Sequence, residues 1–156
     1  MDAVAEFLRR IPAEIDRAGG SLPWRAGLLG LALLVNIGFY LPSLPEGTPG
    51  AGTPGLDKAV HLLVFALTVF AAGRLLAPRR RFPIGWVALV ALVHAVVIEL
   101  VQLVAMPDRS ADVADVLFDA VGIALGLALW AGERVLRRAA AEREVVNSAL
   151  PEERVR

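Results

Sequence analysis

Four apolar runs of near-spanning length, separated by short polar connections, constrain this chain more than any other feature. They cover roughly Ala26–Leu41, Ala59–Leu76, Pro83–Met106 and Val113–Ala131. At about 1.5 Å per residue the first is about 24 Å long and marginal alone, although Leu22–Trp24 extends it. The other three suffice for a hydrocarbon core about 30 Å thick, with long side chains snorkelling at the ends. Lipid offers no partner to an unpaired backbone group, so each run must cross as a complete helix. Leu, Val and Ala dominate the apolar mass over six Phe, three Trp and one Tyr, which suits helices better than barrel strands. The expected fold is an all-α integral membrane bundle of four transmembrane helices.

Charge gives the orientation. Arg9, Arg10, Arg17 and Arg25 precede the first run, Arg74, Arg79, Arg80 and Arg81 close the second, and Arg134, Arg137, Arg138 and Arg143 follow the fourth. Only Lys58 and Arg109 serve the other two connections. The positive-inside rule therefore puts both termini in the cytoplasm, with the loops Pro42–Gly55 and Pro107–Ser110 outside. These basic residues flank apolar runs and form no nucleic-acid patch, and the formal net charge is zero. The absence of cysteine excludes disulfides, thiolate metal ligation and a cysteine nucleophile. Asp2 and Glu6 stand where a signal peptide carries basic residues, so cleavage is not expected.

The ends read as separate segments. Residues 1–20 place Val4, Phe7, Leu8, Ile11 and Ile15 at helical spacing among charged residues, which suits an amphipathic cytoplasmic or interfacial helix interrupted at Pro12. Residues 22–131 hold the four spans. In residues 132–156, Glu133 and Arg137 form an i,i+4 pair that continues the fourth helix into the cytoplasm, and from about Asn147 the tail reads as disordered.

Polar residues inside the spans mark the candidate site. A carboxylate at a helix centre costs about 2.5 to 3.5 kcal/mol on translocon-type scales, so it faces a partner, a cavity or a substrate path. Glu99 lies about 10 Å below the outer end of the third run and Asp119 about 9 Å below that of the fourth. His61 enters the second run near its start, and Asn36 sits five residues before Leu41 on the first, so all four runs offer a polar group in the outer third of the bilayer. On the fourth, Asp112, Asp115, Asp119, Gly122 and Gly126 make one stripe, its glycine half suited to close helix contact.

Each residue also has a plainer reading. Asp57 is placed to cap the second helix, Lys58 to snorkel to headgroups, and His61 to hydrogen-bond between helices. Glu99 and Gln102 share a helical face and suit either a polar clamp or a ligand. Arg109 can pair with Asp112 or Asp115, or grip a phosphate or carboxylate. Asp115 and Asp119 repel unless one is protonated or a cation or Arg109 lies between them. His94 lies about 140° around the helix from Glu99 and reads as a structural contact. Asn36 and Tyr40 read as packing and interface residues.

Asp57-Lys58-x-x-His61, Glu99-x-x-Gln102, then Arg109, Asp115, Gly122 and Gly126, in this order on consecutive spans, resemble the VanZ-like membrane proteins. The resemblance covers about Asp57 to Gly126. Asp119 stands where that family usually has Asn, which adds a potential negative charge. The family implies a small multi-spanning protein of the bacterial cytoplasmic membrane, whose named member is associated with resistance to the glycopeptide teicoplanin. It supplies no established reaction.

Three function classes follow. The first is an envelope protein with an outer-facing polar pocket that recognises an anionic lipid-linked or cell-wall-related molecule. Its ligand residues are Lys58, His61, Glu99, Gln102, Arg109, Asp112, Asp115 and Asp119. The second is a membrane-embedded enzyme on lipid phosphate or glycan head groups, with His61, Glu99 and Asp115 as catalytic candidates. Asp115-x-x-x-Asp119 matches half of the CDP-alcohol phosphotransferase signature, but the Asp-Gly…Ala-Arg half is absent. The third is a proton- or ion-coupled transporter, for which four spans without an inverted repeat are few. Membrane lipids are the expected partners, no organic cofactor is implied, and a divalent cation and an oligomer are left open.

Overall fold

The computed structural model describes residues 20–41, 55–77, 83–106 and 112–149, and all regular structure among them is helical. Helix α1 (Leu22–Asn36) runs into a 3-10 segment (Ile37–Tyr40), followed by α2 (Leu56–Leu76), α3 (Ile84–Ala105) and α4 (Val113–Ala149). Each, with α1 taken together with its 3-10 turn, is long and apolar enough to cross a membrane. The expected amphipathic segment before residue 20, Arg109, the basic residues Arg79, Arg80 and Arg81, most of the stretch Pro42–Gly55 and the residues beyond 149 lie outside the described residues.

The first run becomes a full span because α1 starts at Leu22, with Pro23 in its first turn where a missing N–H costs nothing. Tightening to 3-10 geometry then adds length, giving about 30 Å in all. Phe39 sits at this frayed end, and its carbonyl accepts the Gln102 Nε2–H at 3.0 Å. That bond meets a helix-end acceptor that lipid could not satisfy.

Asp57 does not cap α2. The N-cap is Gly55, with φ 77°, a left-handed conformation that glycine adopts without strain. Asp57 lies in the first turn with its side chain 61% exposed and 3.6 Å from Lys58. Its charge still favours the helix N-terminus, but no side-chain bond does the capping. The residue that does cap is Asp112, whose Oδ1 accepts the Ala114 N–H at 2.8 Å at the start of α4.

α4 runs for 37 residues, about 55 Å, without a break. Val113–Gly132 accounts for about 30 Å and is apolar beyond its first two turns. From Glu133 the helix is charged and extends past any hydrocarbon core. Arg137 Nε donates to Glu133 there at 2.7 Å.

α2 is the centre of the bundle. It packs on α1, α3 and α4, and its contact with α4 is the most extensive. Phe39, Phe65, Val69, Ala95, Ile98 and Ile123 fill the core around it. Leu34, Val90, Leu103, Val104 and Leu117 point outward and are more than half exposed. Water would not tolerate such a skin, whereas lipid makes it the ordinary surface.

The α2–α4 contact depends on missing side chains. A Cβ on Gly122 would collide with the Leu62 carbonyl, and one on Gly126 would lie 2.5 Å from the Ala66 oxygen. Further along, Gly73 of α2 receives the Trp130 indole, where a Cβ would lie 2.7 Å from Cδ1. Gly73 was not singled out from the sequence, although its spacing from Leu62 and Ala66 keeps it on the same helix face. Beyond this contact Arg74 pairs with Glu133 at 3.1 Å and Arg134 donates to the Ala77 carbonyl at 3.4 Å, which fastens the end of α2 to α4. Within α4, Arg134 stacks over Trp130 at 4.7 Å.

Candidate functional site

At the other end of the bundle, the start of α2, the end of α3 and the start of α4 bring their polar residues to one level. Glu99 lies six residues before the end of α3, Asp119 six after the start of α4, and His61 five after the start of α2. All three therefore sit about 8–9 Å inside that end. His61 is deeper than its position in the apolar run suggests, because α2 begins at Leu56.

The contacts cross all three helices. Lys58 Nζ donates to Asp112 Oδ2 at 2.7 Å and to Asp115 Oδ1 at 3.1 Å. His61 Nδ1 lies 3.0 Å from Asp119 Oδ1, and its Nε2 lies 4.0 Å from Asp115 Oδ2. The Asp112 backbone N–H donates to Glu99 Oε2 at 2.8 Å. Phe39 packs on the His61 ring, with centroids 4.3 Å apart. Glu99 Oε1 and Asp119 Oδ2 are buried with no hydrogen-bond partner.

Exposure divides the cluster into a rim and an interior. The side chains of Lys58 and Asp112 are 26% and 45% exposed, whereas those of His61, Asp115 and Asp119 are 6%, 10% and 0%. The Lys58 ammonium, followed by the Ala114 N–H, holds the Asp112 carboxyl below its usual range. A carboxyl depressed on folding stabilises the fold at neutral pH and loses that effect as acid protonates it. The bond between rim and α4 therefore persists throughout neutral pH.

A second polar layer lies deeper. Asn36 Nδ2 donates to Thr68 Oγ1 at 2.8 Å, while His94 Nε2 lies 3.3 Å from Asn36 Oδ1 and His94 Nδ1 lies 3.3 Å from the Tyr40 hydroxyl. His94, Asn36 and Tyr40 thus make an interhelical network among themselves. Asn36 does not join the charged cluster, contrary to the depth estimate, because the rings of Phe39 and Phe65 stand between.

Lys58 meets Asp115 at 3.1 Å and His61 meets Asp119 at 3.0 Å. Two expectations change. Lys58 does not simply snorkel to the surface; it reaches across to α4. Gln102 shares a face with Glu99, yet its amide goes to Phe39 and holds the end of α1. The capping role of Asp112 was legible, since an aspartate just before an apolar run is a helix-start signal. The part played by Thr68, a lone hydroxyl in an apolar run, carried no such signal.

His61, Glu99 and Asp115 each place one donor atom within 4.8 Å of the others, a spacing that could hold a metal ion. Chemically the arrangement offers an imidazole between carboxylates, a cation at its mouth and buried unsatisfied acceptors. A family model described as VanZ/LLP1 matches residues 5–137. The chain belongs to the VanZ/LLP1 family. The match extends well beyond Asp57–Gly126 and takes in the first span. No curated protein and no solved structure matches the chain. VanZ/LLP1 membership and four membrane-length helices together describe a multi-pass membrane protein.

Proposed function

We propose that this VanZ/LLP1 protein lies in the bacterial cytoplasmic membrane with both termini inside, and that its polar cluster faces outward. There it recognises the anionic head group of a lipid-linked, cell-wall-related molecule, and through that it contributes to glycopeptide resistance. The observation that carries this reading is the pair of buried acceptors, Glu99 Oε1 and Asp119 Oδ2, left without partners beneath the Lys58 rim. A purely structural clamp has every reason to close such groups, since a buried unmet acceptor costs about 1–3 kcal/mol. A ligand that brings a donor or a cation satisfies them and explains why the fold leaves them open.

Orientation rests on the arginines. Arg25, Arg74, Arg134 and Arg137 gather around one hollow at the end opposite the cluster, which favours that end as cytoplasmic. A reporter fused after Arg156, or between Pro78 and Phe82, is expected to read cytoplasmic, and one within Gly47–Gly55 external. An external signal from the Arg79–Arg81 stretch overturns the orientation and the placement of the site with it.

Recognition is tested in nanodiscs carrying a polyprenyl diphosphate at a few per cent of the lipid. Wild-type protein is expected to enrich it over bulk anionic phospholipid, and Lys58→Gln to reduce that enrichment about tenfold, the worth of roughly 1.4 kcal/mol. Equal enrichment by both proteins contradicts the reading. A second reading, acid-base chemistry on the same head group, draws on the His61 Nδ1–Asp119 contact, which orients an imidazole as a carboxylate does in hydrolytic triads. Release of phosphate from the diphosphate by wild type and not by His61→Gln is its signature.

A further inference from the structure

We infer that His61, Glu99 and Asp115 are three ligands to one first-row divalent cation, with Asp119 as the residue that positions the histidine. The three residues belong to different helices and, taken whole, are 5%, 7% and 7% exposed. In each, one polar atom is held by a neighbour. Asp119 takes His61 Nδ1 at 3.0 Å, Lys58 takes Asp115 Oδ1 at 3.1 Å, and the Asp112 N–H takes Glu99 Oε2 at 2.8 Å. The second atom of each remains for a ligand: His61 Nε2, Asp115 Oδ2 4.0 Å from it, and Glu99 Oε1, which is buried and unpartnered.

Metal sites divide labour in this way. A ligating histidine donates its other N–H to a carboxylate, which fixes the tautomer and makes the free nitrogen a better donor. Asp119, with no exposure, is such a carboxylate for His61. Charge points the same way. Glu99, Asp112, Asp115 and Asp119 surround one lysine and one imidazole, a surplus of carboxylates that a dication offsets.

One imidazole and two carboxylates suit Zn²⁺ or Mn²⁺, whereas Mg²⁺ and Ca²⁺ prefer oxygen alone. Around zinc, with bonds of about 2.0–2.2 Å, neighbouring tetrahedral donors stand about 3.3–3.5 Å apart. One donor atom from each of the three residues lies within 4.8 Å of the others, and His61 Nε2 lies 4.0 Å from Asp115 Oδ2, so the side chains close on a cation by about 1 Å. Three protein ligands leave one coordination position open. The assignment deepens the head-group reading and rests on it only at that fourth position, where a phosphate oxygen would meet the metal. An anion then approaches a cation, not a ring of carboxylates.

The test uses full-length protein in detergent, stripped with chelator and free of phospholipid phosphate, titrated with Zn²⁺ and with Co²⁺ as a spectroscopic stand-in. One equivalent is expected to bind. Glu99→Gln and His61→Gln should each weaken binding at least 100-fold, and Asp119→Asn about 10- to 100-fold with a shifted Co²⁺ absorption band. X-ray absorption at the zinc edge of the wild-type protein is expected to show one imidazole among oxygen donors, a readout that needs no variant to fold. No binding by the wild type, wild-type affinity in folded Glu99→Gln, or an all-oxygen shell overturns the assignment. Zinc binding without diphosphate enrichment in the nanodisc assay upholds the cation site and rejects head-group recognition alone.

Discussion

Gly122→Ala is expected to destabilise the bundle by about 3 kcal/mol or more, the largest effect of a single added methyl at any glycine among the described residues. The added Cβ would collide with the Leu62 carbonyl and lie 3.0 and 3.1 Å from that residue's carbonyl carbon and Cα. Those atoms belong to a helix backbone and cannot rotate away, so α2 and α4 must separate. Overpacking typically costs 1–3 kcal/mol and rises where nothing can move, so about 3 kcal/mol or more is the expected loss. Gly126→Leu should do worse, because Ala66 and Val69 both stand in the way. Gly132→Ala is the control on the same helix. Nothing lies within 4 Å of its Cβ, and alanine's helix propensity makes it neutral or stabilising. Denaturation followed by helical circular dichroism in detergent checks the series. A Gly122→Ala protein that melts like wild type would mean that this face does not carry the contact.

The same contact positions the site. Lys58 and His61 lie on α2, while their partners Asp112, Asp115 and Asp119 lie on or next to α4. Any separation at Gly122 therefore pulls the cluster apart at its nearest turn. Folding and site are linked through one strip of glycine.

Much of this could be read before any coordinates, for identifiable reasons. Span-length apolar runs admit few solutions in lipid, so four helices followed from hydropathy alone. The depth of Glu99 and Asp119 followed from the constant rise of a helix, which is why counting residues brought them to one level. The stripe from Asp112 to Gly126 followed from helical periodicity. Pairing was less legible. Nothing in the sequence tells whether Lys58 reaches headgroups or α4, because the answer depends on how helices are arranged around α2. For the same reason Gln102 reads as a companion of Glu99 yet bonds to Phe39, and Gly73 passes unnoticed until Trp130 is seen beside it. Helix ends were hardest. Asp57 has the chemistry of a cap, but a left-handed Gly55 sets the start of α2, and that is decided by backbone geometry.

Glu99→Gln, Asp115→Asn and Arg109→Gln are expected to remove the biological effect of the protein while leaving the fold intact. In Glu99→Gln and Asp115→Asn the amide keeps shape and hydrogen bonding but cannot ionise, whereas Arg109→Gln removes the guanidinium charge outright. If the cluster were only a clamp, an amide would serve nearly as well, since an interhelical hydrogen bond in a membrane contributes about 0.6–2 kcal/mol. If it holds a cation that meets an anionic head group, loss of one carboxylate removes a charged contact that no amide replaces. The two roles therefore separate in the comparison of stability with phenotype.

The most direct measurement of the proposed glycopeptide resistance compares a host expressing the wild type with hosts expressing each of these three variants, set beside the melting point of the same proteins purified in detergent. The account predicts wild-type melting within a few degrees and resistance reduced to the level of a host without the protein. Full resistance in all three variants would contradict the claim that this cluster is a functional site.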